Sequence, residues 1–440
     1  MIIKSLLMNK ESKNAIWIIS SKVAQMIISL FINIWTTRYL GPSNYGLISY
    51  VSAYIAFFTS FCTLGITSAI LVNELTEKPE EEGVTLGTTI VLRIFSSLLS
   101  AVFVICVVAL VDNDEPITIW IAVLSSIALV FQVFDTFEYW FQKRYMSKVT
   151  AIVSFVAYLC SAFYKIVLLM LGKGVVYFAL ASSIDYIVIA LALYIVYKKN
   201  RGPKLSFSWK RGKEILSKSY HFILSGMMVA IYGQTDKLML KQMLSETEVG
   251  YYTVASTLST MWVFVLSAII TSVAPTIIKY KNEGIETEYE RKNIQLYSIV
   301  FYISIFVSIC FTVLAPSIIS IMYGKAYENS IQPLRVITWY VAFSYLGCAR
   351  DIWMVCENKQ KYSKYMYLLA AIINIILNGL FIPLMGATGA ALASLITQIS
   401  TSFLLPMVWK DMRLNVKMML QGMNPVVILK VICNKEKNGK

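Results

Sequence analysis

Twelve apolar stretches constrain this chain more than any other feature. They fall at about 14–38, 45–72, 84–111, 116–141, 149–171, 174–197, 218–241, 249–274, 293–321, 333–356, 363–384 and 386–409. A helix that crosses a bilayer needs about 20 apolar residues, and each stretch supplies them. Backbone polar groups in lipid must be satisfied within the segment, so helices are the form that such stretches take. Composition agrees: 57% of the 440 residues are hydrophobic and 15% are charged, against about 25% charged in soluble domains. A soluble enzyme, a disulfide scaffold and a disordered chain are excluded. The seven cysteines form no CxxC pair and there is one histidine, His221, which argues against a zinc site.

The net charge of +14 is a topology signal before it is a nucleic-acid signal, and no nucleic-acid partner is expected. With the N-terminus placed in the cytoplasm, 29 of the 39 basic residues fall on the cytoplasmic side and 5 outside. Basic residues resist translocation, so both termini are expected to be cytoplasmic. The most basic segment, Lys198–Lys218, holds eight cations and one acid, Glu214, and is expected to lie against anionic lipid headgroups. The acidic segment Asn73–Gly83 carries no weight in topology.

Local patterns recur in the two halves. Leu40 and Gly46 recur as Leu244 and Gly250. Asp135, Lys143, Ser147 and Lys148 recur as Asp351, Lys359, Ser363 and Lys364, 216 positions later. Ala179-Leu180-Ala181-Ser182 recurs as Ala391-Leu392-Ala393-Ser394. Six spans per half is an even number, so the repeat is parallel. The expected fold is an all-α polytopic membrane protein of about 12 transmembrane helices, in two parallel six-helix lobes around a central polar cavity. The expected divisions are an N-terminal lobe (1–197), a basic inter-lobe linker (198–217), a C-terminal lobe (218–410) and a basic cytoplasmic tail (411–440).

Polar stripes run along the apolar helices. Lys22, Gln25, Ser29, Asn33 and Thr36 share an arc of about 80°, and His221, Ser225, Tyr232 and Asp236 one of about 60°. Thr253, Ser256 and Thr260 align on another span, as do Tyr367, Asn374 and Asn378. Stripes of this kind serve as helix–helix glue or line a wet passage. Five cations (Lys22, Arg93, Lys165, Lys237, Arg350) and five acids (Asp135, Glu138, Asp185, Asp236, Asp351) lie within spans. Each costs about 2.5–3.5 kcal/mol at the bilayer centre, so most must face the protein interior. Asp135 and Glu138, one turn apart, suit either a proton or Na⁺ site or a pairing with a basic residue.

No phosphate-binding GxxxxGK[ST] loop is present, and the outer loops are too short for an outward-facing polymerase or glycosyltransferase. Asp112-Asn113-Asp114 is expected to be a polar turn.

The segment Thr37-Arg38-Tyr39-Leu40-Gly41-Pro42-Ser43-Asn44-Tyr45-Gly46 resembles the "RxLGPxxYG" signature of bacterial polysaccharide-export flippases, the Wzx-type O-antigen transporters. Gln234–Leu240 with Val249–Ala255 is similar to the start of that family's second lobe. Ala315-Pro316 through Tyr327 is similar to a segment shared with related lipid-linked oligosaccharide flippases. The resemblance spans nearly the whole chain. It implies a flippase of the multidrug/oligosaccharidyl-lipid/polysaccharide exporter superfamily in the bacterial inner membrane. The implied partner is an undecaprenyl-diphosphate-linked oligosaccharide, moved between leaflets by alternating access, with membrane lipids, a polymerase and a chain-length regulator nearby. The resemblance assigns no residue roles.

On physical grounds, substrate contacts are expected from Lys22, Gln25, Asn33, Arg93, Lys165 and Arg350, because a diphosphate needs cations and sugars need hydrogen bonds. Ion coupling, by H⁺ or Na⁺, is expected from Asp135, Glu138, Asp185, Asp236 or Asp351, with no catalytic residue or metal. A drug/cation antiporter of the same superfamily is the alternative, although the balance of acids and bases does not favour it. A membrane glycosyltransferase or polymerase is a more distant one.

Overall fold

The computed structural model describes residues 10–429, with side-chain surroundings from Gln25 onward except Ile27. The Lys22 side chain therefore lies outside the described residues. The fold is helical, with no strand among the described residues. The chain divides into two compact units, Met1–Ala230 and Ile231–Lys440.

In the first unit, α1 (Lys10–Cys62) is followed by α2 (Ser68–Glu77), α3 (Glu82–Val111) and α4 (Pro116–Phe131). A 3₁₀ turn, Gln132–Asp135, leads into α5 (Thr136–Lys143). Then come α6 (Ser147–Met170) and α7 (Val175–Lys199). Helix α8 (Trp209–Met243) contains the unit boundary. The second unit continues with α9 (Glu246–Thr260), α10 (Phe264–Asn282), α11 (Glu286–Met322) and α12 (Ile331–Cys356). Helix α13 (Lys361–Ile399) passes through a π turn, Ser400–Leu404, into α14 (Leu405–Val408). Helix α15 (Arg413–Gly422) follows.

Two of these helices are pairs joined at a glycine. Gly41 sits at φ 73°, ψ 170°, a region closed to most side chains, and Pro42 removes the next backbone donor. Gly386, at φ 56° and ψ −135°, divides α13 in the same way. The Glu248 carboxylate accepts the Ala387 N–H at 2.7 Å and caps the restarted helix. A Cβ on Gly386 would stand 2.5 Å from that carboxylate.

Eight helical segments among the described residues are long and apolar enough to cross a membrane. Two of them, Ile28–Cys62 and Lys361–Val408, each overlap two of the twelve apolar stretches, so the eight segments overlap ten stretches. The remaining two lie in α8 and α12. These helices carry Asp236 and Lys237, and Arg335, Arg350 and Asp351. Three of these charges, Asp236, Arg350 and Asp351, are ones that the sequence marked as functional.

The internal repeat is visible in backbone detail. After Trp140, Met146 N–H reaches Phe141 C=O at 2.9 Å, and after Trp353, Lys359 N–H reaches Met354 C=O at 2.7 Å. Both are six-to-one helix closures of the Schellman type, with Tyr145 at φ 55° and Asn358 at φ 56°. The two turns stand 213 positions apart, three fewer than the residue match 143/359 and 147/363 implied. Residue identity matches Asp135 to Asp351, whereas at the spacing of these two closures Glu138 falls at the position of Asp351.

Each unit has a dense apolar cluster around one buried tryptophan. In the first, Trp140 packs among Phe137, Phe141, Tyr197, Leu71 and Leu75. Its indole N–H donates to Glu82 at 3.1 Å. Glu82 also takes Lys143, and Arg144 at 3.2 Å. In the second, Trp353 packs among Tyr289, Tyr297, Met354 and Met412. Nearby, Lys281 bridges Glu357 at 2.8 Å. Asp411, on the same side of the sequence repeat, accepts from Lys359 at 2.8 Å and Tyr362 at 3.1 Å. These partners hold its carboxyl below the usual range.

The acidic segment that topology ignores has a packing role. Arg211, from the basic linker, is turned inward and buried against Glu74 at 2.7 Å, with side chains only 4% and 2% exposed. Its remaining donors reach Glu214 at 2.9 Å and Thr85 at 3.1 Å, and Lys218 also pairs with Glu74. The linker is therefore clamped to α2 and α3, and this one of its cations is not available to lipid.

Candidate functional site

The first unit gathers six of the expected residues. Helix α4 tightens at Gln132–Asp135, which breaks the regular ladder and frees the Gln132 carbonyl. Arg93, from α3 and 1% exposed, donates to that carbonyl at 3.3 Å and to Thr136 Oγ1 at 2.9 Å. Asp135 lies within the electrostatic reach of Glu138, Arg93 and Asp185. Asp185, on α7, is in turn within reach of Lys165 on α6. Lys165 Nζ donates to Asn33 Oδ1 on α1 at 3.4 Å. Asn33, Arg93, Asp135, Glu138, Lys165 and Asp185 thus form one connected polar and charged set, although they come from six helical elements. Asp185 Oδ1 is buried without a hydrogen-bond partner among the described residues. Gln25 is half-buried on α1.

Arg350 in the second unit repeats the device seen at Arg93. It is 4% exposed and donates to the Thr401 carbonyl at 2.9 Å. That carbonyl lies within the π turn, where the helical ladder is again interrupted. Asp351 is half-buried and within electrostatic reach of Arg350. Both arginines are committed to backbone carbonyls at helix irregularities. Each keeps an Nε atom with no hydrogen-bond partner among the described residues.

The most complete polar site surrounds Asp236 on α8, which is 3% exposed. Its Oδ1 accepts from Asn378 Nδ2 at 2.7 Å and Asn374 Nδ2 at 3.2 Å. Its Oδ2 accepts from the Tyr252 and Ser394 hydroxyls. Asn378 also donates to Asn374 Oδ1 at 3.0 Å. Beside Asp236 lies a cavity of about 180 Å³, lined by Tyr232, Tyr252, Ser256, Ser259, Tyr340 and Ser394 among others. Tyr232 is fixed by its hydroxyl bond to Gln398 at 2.6 Å.

Four donors on two oxygens suit an acceptor-only carboxylate. All four partners are ambivalent groups. Hydroxyls of Ser and Tyr donate and accept, and an Asn amide presents nitrogen or oxygen by rotation about its last bond. The same five side chains can therefore hold a bare carboxylate through hydrogens or surround a small cation with oxygens. Hard cations such as Na⁺ are held by such oxygen sets. The stripes on α8 and α13 pointed to Asp236, Asn374 and Asn378 from sequence. Tyr252 and Ser394 were missed as site residues; Ser394 stood out only as part of the repeated Ala-Leu-Ala-Ser, and no periodic signal marks Tyr252.

Fold and site together define a multi-pass helical membrane protein with charged and polar clusters built inside each unit. The family described as polysaccharide biosynthesis protein matches residues 12–281, more than half of the chain, and the protein belongs to that family. No curated protein matches the sequence. Among solved structures, the chain is similar to lipid II flippase MurJ in an inward closed conformation, with a TM-score of 0.74 and 17% identity. That match covers 96% of this chain and 93% of the other. It is also similar to an inward-facing multidrug resistance MATE family transporter of the MOP superfamily. There the TM-score is 0.67 and the identity 15%, over 90% of this chain and 96% of the other. At these identities the likeness establishes the fold.

Proposed function

We propose that this protein is a flippase that carries an undecaprenyl-diphosphate-linked oligosaccharide, such as an O-antigen or capsule repeat unit, across the bacterial inner membrane. The lipid-linked unit enters from the cytoplasmic leaflet and leaves in the periplasmic leaflet by ion-coupled alternating access, with both termini cytoplasmic. One observation carries this reading: a member of the polysaccharide biosynthesis family has the fold of a lipid II flippase. The protein is a transporter in this account, not an enzyme, and needs only the coupling ion, H⁺ or Na⁺.

The Asp236 cage is the coupling site we favour. Its geometry supports the reading because every ligand can exchange hydrogen donation for an oxygen lone pair. Asp135, Glu138, Asp185 and Asp351 are secondary candidates; Asp135, Asp185 and Asp351 each lie within electrostatic reach of a cation in their own unit. Among the substrate contacts, Lys165 with Asn33 is the leading choice, since their 3.4 Å bond is weak enough to be exchanged for a phosphate or sugar oxygen. Arg93 and Arg350 would contribute through their remaining donors while holding the helix irregularities in place. Gln25 and Lys22 complete the α1 stripe.

Loss of the gene in its host tests the reading. The expected result is loss of surface glycan, with lipid-linked repeat units accumulating on the cytoplasmic side. Normal surface polysaccharide would overturn it. The MATE-like fold keeps a drug/cation antiporter as the second reading, for which the same strain would instead become sensitive to cationic compounds.

A further inference from the structure

Between α7 and α8 the chain forms a seated strap, not a loose linker. Arg201 turns at φ 54°, and the Tyr197 hydroxyl donates to the Pro203 carbonyl. Ser206 N–H then donates to the Gly83 carbonyl at 3.2 Å, and Ser208 N–H to Thr88 Oγ1 at 3.0 Å. Gly83 and Gly87 on α3 make room for this approach. A Cβ on either would stand 2.2 Å from the Lys204 carbonyl oxygen or 2.4 Å from that of Ser206.

The docked strap leaves three large apolar side chains in the open: Leu205, Phe207 and Trp209, the last two 50% and 57% exposed. They alternate in sequence with the residues whose backbones dock. Around them stand six exposed cations, Lys198, Lys199, Arg201, Lys204, Lys210 and Lys213. Of the nearby acids, Glu214 is engaged by Arg211 and Lys78 and Glu82 by Lys143 and Arg144, Glu81 lies 3.7 Å from Arg211, and Glu80 is exposed, so the exposed cations outnumber the acids. The strap links the end of membrane-spanning α7 to the start of α8 and docks on the first turns of membrane-spanning α3, and the ends of such helices lie where hydrocarbon gives way to headgroups.

We propose that residues 198–213 are a built binding site for anionic lipid headgroups. A soluble polyanion would use the cations and leave Phe207 and Trp209 in water. A bilayer takes both: aromatic rings settle at the interface and Lys or Arg near the surface attract anionic lipid. The burial of Arg211 fixes the strap, so the exposed cations are presented on a rigid support. This inference concerns lipid binding alone and stands or falls independently of the flippase reading.

The test uses the purified full-length protein with equimolar phosphatidylglycerol and phosphatidylcholine, the retained lipids being counted by native mass spectrometry. The wild type is expected to prefer phosphatidylglycerol. Replacing Lys198, Lys199, Arg201 and Lys204 together by Gln should lower the bound ratio by roughly tenfold. The double change Phe207→Ser with Trp209→Ser should weaken retention of both lipids. A ratio unchanged in the fourfold variant, or a preference abolished equally by inorganic phosphate, would overturn the proposal. Hydrogen exchange on the unmodified protein provides a test that needs no variant. The amides of 202–209 should exchange more slowly in phosphatidylglycerol nanodiscs than in phosphatidylcholine ones, and equal exchange would contradict the site.

Discussion

Asp236→Asn is expected to lower gradient-driven transport by roughly a hundredfold, the factor that a loss of about 3 kcal/mol represents. Asn has the size of Asp, so the packing around it stays intact while the charge is removed. The cage then loses the one group that compensates a cation, leaving Asn374, Asn378, Tyr252 and Ser394 as neutral ligands. Ser394→Ala and Tyr252→Phe each delete a single oxygen or donor and should weaken apparent ion affinity by about tenfold. The measurement is uptake or flipping rate against ion concentration in proteoliposomes, with the variants' thermal unfolding as a control. Wild-type rates and ion dependence in Asp236→Asn would remove the coupling role from this site.

Glu74→Ala should cause the largest loss of stability. It leaves Arg211 buried with its main partner gone, and breaking a buried pair from one side costs about 3–5 kcal/mol. The remaining contacts of Arg211, with Glu214 and Thr85, cannot replace a carboxylate that is 2% exposed at the centre of the cluster. Removing both partners, Glu74→Met with Arg211→Met, should restore most of the loss, because the desolvation penalty disappears with the pair. Lys218→Ala should have little effect, since Lys218 is largely exposed. Thermal unfolding of the four proteins in one detergent gives the comparison. A Glu74→Ala protein as stable as wild type would show that the clamp is not needed to hold the linker.

The spans were legible because bilayer thickness imposes a length that hydropathy records directly. The stripes on α1, α8 and α13 were legible for a similar reason: one helical period places Asn374, Asn378 and Asp236 on defined faces without knowledge of their partners. What could not be read was which faces meet. Ser394 reaches Asp236 across 158 positions, and Glu74 reaches Arg211 from a segment that topology rules discount because acids do not orient helices. The arginines show the limit from the other side. Composition suggested anion ligands, whereas Arg93 and Arg350 are engaged with carbonyls released by a 3₁₀ turn and a π turn. Irregularities of that kind leave no pattern in hydropathy. The repeat was visible as identities at an offset of 216, whereas the backbone closures after Trp140 and Trp353 stand 213 positions apart.

The central claim is that this protein moves a lipid-linked oligosaccharide from one leaflet to the other. Purified protein in liposomes loaded with an undecaprenyl-diphosphate-linked oligosaccharide tests it most directly, by following how fast the sugar becomes accessible to an impermeant lectin or glycosidase on the opposite face. The expected result is rapid exposure that depends on an imposed H⁺ or Na⁺ gradient and is lost in Asp236→Asn. Exposure no faster than in protein-free liposomes, with the gradient in place and the protein folded, would contradict it.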